Sequence, residues 1–322
     1  MMFRMIMRRL GIGIVTLWVV SMLMFAGTEI LPGDVAEIML GQEATPESLH
    51  ALREALGLNK SAATRYFEWL GDMARFDLGM SLAGRGNGGG ATTIETLISD
   101  RLNNTLLLSC IVASIAVPLS VILGLLAAMF PTSLYDRVVT FSTLCLVAVP
   151  EFFIATMLVL LFAVQLQWLP AIATMTEFES VWDMMRSLSL PILTLTVVLL
   201  AQMARMTRAS VLNVMSSPYI EMAILKGVPR NRIILRHALF NAIGPIVNII
   251  AVNLAYLVSG VVVVETIFAF PGLAKLMVDG VQVRDMPLVQ ACGMIFCGTY
   301  VVLILISDIA SIVSNPRLRH PK

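Results

Sequence analysis

The stretch EMAILKGVPRNRIILRHAL, residues 221–239, decides how the rest of this chain is interpreted. It carries a single acid against four Lys and Arg residues and one histidine. A long apolar run lies on either side of it, at about 188–206 and 241–264. Each run can cross a bilayer, because a helix rising about 1.5 Å per residue needs about 20 apolar residues to do so. A basic segment between two such runs indicates a loop that joins two membrane spans.

The composition of the whole chain agrees with this interpretation. Of its 322 residues 58% are hydrophobic and only 13% are charged, whereas about 25% of the residues in a soluble domain are charged. An ordinary soluble enzyme is therefore excluded. All four cysteines lie inside apolar runs without the spacing of metal ligands, so they predict free thiols: Cys110, Cys145, Cys292 and Cys297.

Apolar runs of about 20 residues predict six membrane spans. They lie at 10–30, 105–130, 138–168, 188–206, 241–264 and 288–307. The first run resembles a signal peptide but exceeds the apolar core of about 7–15 residues typical of one, so we expect it to be retained as a helix. The third run is interrupted at Pro150-Glu151 and predicts one tilted or broken helix. The predicted fold class is an all-α polytopic membrane protein.

Charge asymmetry predicts the orientation. The 32–104 loop carries six basic and ten acidic residues, whereas the 205–240 loop is strongly basic. The positive-inside rule places 205–240 and both termini in the cytoplasm, and 32–104 and 265–287 outside. The chain accordingly divides into four parts: 1–31 (N-terminal tail and first span), 32–104 (extracytoplasmic loop), 105–315 (membrane core with the cytoplasmic loop 205–240) and 316–322 (cytoplasmic tail).

The 32–104 loop has structural signals of its own. Thr45 and Pro46 predict a helix start and Gly57 a helix end, and TRYFEWLGDMARFDLG, residues 64–79, predicts a second amphipathic helix. A small helical element is therefore expected outside the membrane. GRGNGGG, residues 84–90, fits a G-x-G-x-x-G spacing but follows no predicted strand and lacks the Lys-Ser/Thr of a P-loop, so it predicts a flexible loop. The sequence holds no ATP-binding motif.

The basic loop contains a short predicted helix, residues 218–226. Ser217 and Pro218 are typical of a helix start, and Gly227 of a helix end. An apolar face is formed by Ile220, Ala223 and Ile224, with Tyr219 beside it. This face either lies on its own bundle or on the lipid interface, or it docks onto a cytoplasmic partner. Pro229 then starts a basic helix that leads into the fifth span.

YIEMAILKGVPRNRIILRHALFNAIGP, residues 219–245, resembles the cytoplasmic loop of ABC importer permeases. The Glu-Ala-Ala motif of that family and its following glycine map onto Glu221, Met222 (in place of the first Ala), Ala223 and Gly227. LRHALFNAIGP is similar to the dipeptide, oligopeptide and nickel branch of the family and replaces the more general Ile-x-Leu-Pro ending. Further blocks follow in the family's order: LPGD (31–34), ALREALGL (51–58), FDLGMSL (76–82), RLNNTLLL (101–108, with Asn103 where the family usually has Pro), QWLP (167–170), ETIFAFPGLAKLMVDGVQVRDMPLVQ (265–290) and NPRLR (315–319).

The resemblance implies a permease subunit in the bacterial cytoplasmic membrane. It implies a second, related permease subunit as partner in a heterodimer, two cytoplasmic ATPase subunits and an extracytoplasmic substrate-binding protein. This chain would bind no cofactor, since ATP and Mg belong to the ATPase subunits, and no nucleic acid. The 218–226 helix would be the coupling helix, seated on an ATPase subunit. The expected coupling residues are Tyr219, Ile220, Glu221, Ala223, Ile224, Lys226 and Gly227; no catalytic residue or metal ligand is expected.

Two other classes of function agree less well with the sequence. A self-sufficient secondary transporter or channel usually places ionisable groups at mid-membrane and shows repeated halves, but here Glu151 is the only clear deep acid. An intramembrane enzyme is disfavoured, because the spans hold no paired carboxylates or His–Glu cluster, and the three histidines, His50, His237 and His320, lie outside the spans.

The sequence leaves the substrate open. Peptides are the default, with glutathione, nickel chelates and opines as alternatives, because a fold does not specify its ligand. Pro150 and Glu151 are the candidate residues of the translocation path. Glu151 either makes a structural contact, protonated or paired with the partner permease, or faces the water-filled path and attracts a cationic group such as a peptide's amino terminus.

Overall fold

The computed structural model describes residues 2–30, 36, 45–55, 57–82, 92–175, 180–229, 232–259 and 261–314. In this part of the chain the regular structure is helical, apart from an isolated antiparallel bridge between Met80 and Thr93. The α-helices are α1 Met2–Ile30, α2 Pro46–Ala55, α3 Ala62–Ala74, α4 Ile94–Met129, α5 Leu134–Ala148, α6 Glu151–Leu158, α7 Val181–Ser187, α8 Ser189–Met215, α9 Pro218–Leu225, α10 Leu239–Ser259, α11 Val262–Ile267, α12 Leu273–Gln282 and α13 Met286–Ser314. A π-helical segment, Val159–Gln165, continues α6, and a second, Ile233–Ala238, leads into α10.

The predicted spans are present as helices. Five helical stretches within the described residues are long and apolar enough to cross a membrane: Arg4–Ile30, Ile94–Met129, Ser189–Met215, Asn241–Ile267 and Met286–Ser311. The third predicted span is the pair Leu134–Ala148 and Glu151–Gln165, which is bent by 99°. The prediction of an all-α polytopic fold is therefore confirmed, and the predicted break in the third apolar run is present.

The break in the third span follows from its proline. Pro150 has no N–H to donate into a continuing helix, and its ring disfavours helical geometry in the preceding residue. Val149 accordingly adopts an extended conformation, with φ −87° and ψ 127°. A new helix begins at once, because the N–H groups of Phe153 and Ile154 donate to the Pro150 carbonyl at 3.0 and 3.2 Å.

The chain forms two compact units. The first comprises Met1–Gly11, Leu106–Phe270 and Thr299–Lys322, and the second comprises Ile12–Thr105 and Pro271–Gly298. This division follows contacts within the chain. The division derived from the sequence follows the sides of the membrane, and it stays a prediction. The glycine-rich stretch 84–90, the LPGD block and the 316–322 tail lie outside the described residues.

The first unit is built around α8. Of the most apolar stretch of α8, 61% is buried, against 28% for that of α4. The main core surrounds it and draws on α4, α6, α10 and α11: Leu108, Val112, Ala116, Ala155, Ala173, Leu188, Leu190, Ile192, Leu195, Leu199, Met203, Ile249, Leu257, Val261, Val264, Phe268 and Phe270.

The second unit contains the small helical element predicted between the first two spans. The α2 and α3 helices are both present, and Gly57 ends α2 in the left-handed conformation (φ +65°). Tyr66 of α3 shares a 2.9 Å hydrogen bond with Ser21 of α1. At the other end of the unit, the Asn104 amide donates to the Pro271 carbonyl at 2.9 Å. These polar contacts connect α3 to α1 and the segment before α12 to α4.

Candidate functional site

The helix predicted in the basic loop is present as α9. Ser217 precedes it in an extended conformation, Pro218 occupies its first turn, and the chain leaves it at Lys226. Proline is favoured at a helix start because its missing N–H would have no partner there and its φ is already helical. The sequence therefore located this helix to within one residue at its C-terminal end.

Gly227 closes α9 with a two-bond cap. Its φ is +73°, a conformation that other residues reach only with strain. Its N–H donates to the Ile224 carbonyl at 2.9 Å, and the Val228 N–H donates to the Ala223 carbonyl at 3.2 Å. This is the Schellman pattern of helix termination. It turns the chain towards Pro229, whose carbonyl accepts the next helical hydrogen bonds, from Arg232 and Ile233, at 2.9 and 3.1 Å.

One side of α9 is held by the first unit itself. Ile220 is completely buried, and Tyr219 and Ala223 are half-buried beside it. Together they pack on what we call the α9 cluster, whose buried members are Ala128, Val211, Ile220, Ile233, Ala238, Ala242 and Ile246. The interpretation in which the apolar face lies on its own bundle therefore holds for these three residues.

The other side of α9 is open and partly apolar. Met222, Ile224 and Leu225 are 54%, 55% and 74% exposed, and Glu221 and Lys226 are exposed beside them. Ile224, which the spacing groups with Ile220 and Ala223, is not buried with them in the α9 cluster. Met222 and Leu225 were not among the expected coupling residues. Apolar spacing alone misses them, because apolar residues fill most of this short helix and their spacing does not indicate which side packs inward.

Glu151 lies directly after the bend of the third span. It is the first residue of α6, where a carboxylate faces the free N–H groups of the first turn. The Tyr256 hydroxyl, on α10, donates a hydrogen bond to Glu151 Oε2. Glu151 Oε1 is buried and makes no hydrogen bond within the described residues. The carboxylate thus has one oxygen bound to the chain and one oxygen available to another donor.

Tyr256 was not identified from the sequence. Its only signal there is a phenol within an apolar span, at a position 105 residues from Glu151. Buried tyrosine hydroxyls usually find a hydrogen-bond partner, so the signal was present, although the identity of the partner was not.

A second polar contact of the first unit was also missed. Arg208 of α8 binds Asp136 of α5 through two hydrogen bonds, Nε to Oδ1 at 2.5 Å and Nη2 to Oδ2 at 2.9 Å. From the sequence, Arg208 is only one of the basic residues of the 205–240 loop, which the positive-inside rule places in the cytoplasm. A bidentate pair of this kind fixes the relative orientation of two helices, because the guanidinium and the carboxylate are both planar.

The second unit contains a cleft of ≈650 Å³ between the end of α1, the helices α2 and α3 and the start of α13. Its lining includes five acidic and two basic side chains. Both basic side chains are ion-paired: Arg65 binds Glu29, and Lys60 binds Glu68 at 2.7 Å. The lining is net negative, and such a surface favours cations over anions.

The described part of the chain offers no evident metal-binding site. No group of three or more His, Cys, Asp or Glu side chains there is placed to hold a metal ion. The four cysteines are free thiols, as predicted. His50 lies 4.0 Å from Glu54 on the exposed surface of α2, whereas the His237 side chain and His320 lie outside the described residues.

Comparison with known proteins gives matches along almost the whole chain. The family model described as the binding-protein-dependent transport system inner membrane component matches residues 120–320, and the model of its N-terminal part matches residues 2–85. A putative peptide transport system permease protein of Brucella melitensis is 33% identical over 99% of this chain and 100% of its own length.

Two further relatives have different names. The oligopeptide transport system permease protein AppB of Bacillus subtilis is 33% identical over 98% of this chain and 99% of its own. The glutathione transport system permease protein GsiC of Escherichia coli is 32% identical over 98% of both chains. Similarity of this extent reaches every helix described above.

Proposed function

Since this chain belongs to the family of binding-protein-dependent transport system inner membrane components, the permease subunits of ABC importers, we propose that α9 is the surface on which its ATPase partner acts. The protein is a multi-pass component of the bacterial inner membrane. The proposal assigns to α9 the contact through which ATP binding and hydrolysis drive transport.

One observation carries this proposal: α9 is anchored and exposed at the same time. Ile220 is buried in the α9 cluster, which fixes the helix on the permease. On the opposite side, Met222 and Leu225 expose apolar surface next to the charged residues Glu221 and Lys226. An apolar patch with a charged rim is the usual composition of a protein interface. An exposed Leu225 would gain about 1.5–3 kcal/mol on complete burial against a partner.

The proposed assembly follows from this division of roles. The chain pairs with a second, related permease subunit, and two cytoplasmic ATPase subunits bind the coupling helices of the pair. ATP and Mg bind to the ATPase subunits, since this sequence holds no ATP-binding motif. An extracytoplasmic binding protein delivers the ligand. The positively charged 205–240 loop lies in the cytoplasm in this assembly, where basic loops are retained.

We propose a peptide, or a similar small ligand with a positively charged end, as substrate. The names of the relatives support peptides, although one of those relatives is named for glutathione. Two features of this chain support the positive charge. Glu151 has a carboxylate oxygen without a hydrogen-bond partner in the described residues, and the lining of the cleft in the second unit is net negative.

The decisive experiment truncates the exposed side of α9. Leu225→Ser should lower ATPase recruitment in purified membranes about tenfold, because the contact loses one apolar side chain. Leu134→Ser is the matched control, since Leu134 is 78% exposed and lies at the start of α5. Glu221→Lys should also weaken recruitment while membrane insertion stays normal. Unchanged recruitment in both α9 variants would leave α9 as a helix that only lies on its bundle.

A self-sufficient transporter makes the opposite prediction for energy coupling. Vesicles containing this chain and its permease partner should accumulate ligand only when the ATPase subunits, ATP and the binding protein are also present. Accumulation driven by an ion gradient alone would contradict the importer.

A further inference from the structure

We propose that the Asp136–Arg208 ion pair is a positioning contact that makes α5 follow α8 and α9 during transport. This role rests on the proposed docking of the ATPase on α9. It extends that proposal from the docking surface to the membrane spans, and it names the side chains through which the movement would pass.

We call the Asp136–Arg208 pair the joint between α5 and α8, and its hydrogen bonds fix its geometry. The Asp136 side chain is only 5% exposed and the Arg208 side chain 27%. Besides its two bonds from Arg208, the carboxylate accepts the Thr132 N–H at 2.9 Å on Oδ2. The Thr140 hydroxyl lies 3.4 Å from Oδ1. Both oxygens are therefore occupied, so the carboxylate has one well-defined orientation.

Few side chains of α5 are buried. Only two of its fifteen residues, Asp136 and Thr143, are buried. Several of its apolar side chains are open, with Leu134, Val138 and Phe141 all more than half exposed. The backbones of α5 and α8 nevertheless pack closely against each other, and Asp136 is the only charged residue among the buried residues of α5, so the ion pair adds a directional contact to that packing.

A second contact strengthens the joint from α4. A Cβ atom at Gly124 would lie 2.5 Å from the Ala204 carbonyl oxygen and 2.8 Å from Thr207 Cβ. The backbone of α4 thus touches α8 immediately before Arg208. A short loop that includes Thr132 joins α4 to α5. The close contact at Gly124 precedes this loop and the ion pair at Asp136 follows it, so α8 holds the chain on both sides of the loop.

The joint lies between the two candidate functional regions. On one side, α8 continues through Ser216 and Ser217 into α9, whose Ile220 packs in the same unit. On the other side, α5 runs to the bend at Pro150, where Glu151 begins α6. A displacement of α9 that moves α8 would move Arg208, and the bidentate pair would pull the start of α5 with it. The displacement of α5 would then change the geometry of the bend next to Glu151.

The test measures how many ligand molecules are imported for each ATP hydrolysed. The complete complex is reconstituted in liposomes with its binding protein, and ATP hydrolysis and uptake of a labelled peptide are followed in parallel. Asp136→Asn keeps an acceptor for the Thr132 N–H but removes the charge. Arg208→Lys keeps the charge but loses the planar fork. We expect the ratio of uptake to hydrolysis to fall about fivefold or more in Asp136→Asn, the range of ordinary coupling between sites, and less in Arg208→Lys.

The control is another ion pair of the same unit. Arg9 of α1 binds Asp308 of α13 at 3.0 Å, so Arg9→Gln removes an ion pair that joins neither α5 nor α9. Its ratio of uptake to hydrolysis should equal that of the unmodified complex. Exchange of the charges, with Asp136→Arg and Arg208→Asp combined, should restore at least part of the ratio lost in Asp136→Asn.

Two results would overturn the inference. The first is an unchanged ratio in Arg208→Lys and Asp136→Asn complexes that assemble normally. The second is a parallel loss of uptake and hydrolysis, which would mean that the pair only stabilises the fold. Neither result bears on α9 docking, which is measured separately by ATPase recruitment to Leu225→Ser. If Asp136→Asn loses coupling while Leu225→Ser recruits the ATPase normally, the joint is retained and the docking surface is rejected.

Discussion

Tyr256 of α10 donates a hydrogen bond to Glu151, the residue that restarts the third span after its proline break. The contact joins two segments that are 105 residues apart in sequence. The hydrogen bond also stabilises the break, since a carboxylate within an apolar span is costly unless a donor satisfies it. The second oxygen remains without a hydrogen-bond partner in the described part of the chain.

Tyr256→Phe should destabilise the permease by about 1–3 kcal/mol, because Glu151 loses a buried donor. Thermal unfolding of the detergent-purified complex measures this loss. In a Glu151→Ala background the same Tyr256→Phe change should have little effect, since the acceptor is already gone. Equal losses in the two backgrounds would mean that the hydrogen bond contributes nothing to stability.

Glu151→Gln tests whether the carboxylate attracts the ligand. If Glu151 faces the path, import of peptides with a free amino terminus should slow about tenfold, the order of one hydrogen bond to a charged group. Import of amine-blocked peptides should be spared. Both are measured as uptake into liposomes containing the complete complex. An equal loss for both kinds of peptide, or a complex that dissociates, would assign Glu151 a structural contact only.

Gly227 should tolerate asparagine but not valine. A Cβ at this position meets no atom within 4 Å, so space is available and only the positive φ is limiting. Asparagine enters the left-handed region readily, whereas a β-branched residue is strained there by about 1–2 kcal/mol. We expect Gly227→Val to reduce transport and ATPase recruitment, with normal insertion, and Gly227→Asn to retain both. Similar activity in the two variants would show that the cap does not require this backbone conformation.

Two glycines within spans should respond in opposite ways to alanine. Gly124→Ala forces a methyl group into the contact between α4 and α8, and overpacking of this kind costs about 1–3 kcal/mol. Gly298, inside α13, meets nothing within 4 Å, so Gly298→Ala should leave stability unchanged or raise it by up to about 1 kcal/mol. Thermal unfolding of both variants checks the difference. Destabilisation by Gly298→Ala to the same degree would contradict the close approach at Gly124.

Cysteine labelling should place the α2–α3 element and the α9 segment on opposite sides of the membrane. In a chain whose four native cysteines are replaced, Ala63→Cys should react with a membrane-impermeant maleimide from outside. Lys226→Cys should react only in inverted vesicles. Both positions are exposed in this chain, and labelling in the absence of the ATPase subunits keeps the proposed docking surface at Lys226 uncovered. The opposite pattern would reverse the predicted orientation of the termini.

Local signals explain how much of this protein could be predicted from its sequence. Runs of apolar residues located the spans, because spanning a bilayer requires a continuous stretch of them. Pro150 predicted the break, since proline affects only its own turn and the residue before it. Pro218 and Gly227 located α9 for the same reason, through backbone preferences that act within one turn. Each of these properties is a property of a few neighbouring residues.

The tertiary structure alone decided which side chains meet. Ile220 and Ile224 have similar side chains four residues apart, yet one is buried and the other is 55% exposed. That outcome depends on where α4, α8 and α10 pass beneath α9. Asp136 likewise finds Arg208 across 72 residues. Such contacts are set by the packing of whole helices, because a side chain's partner is determined by the paths of distant segments rather than by its neighbours in the chain.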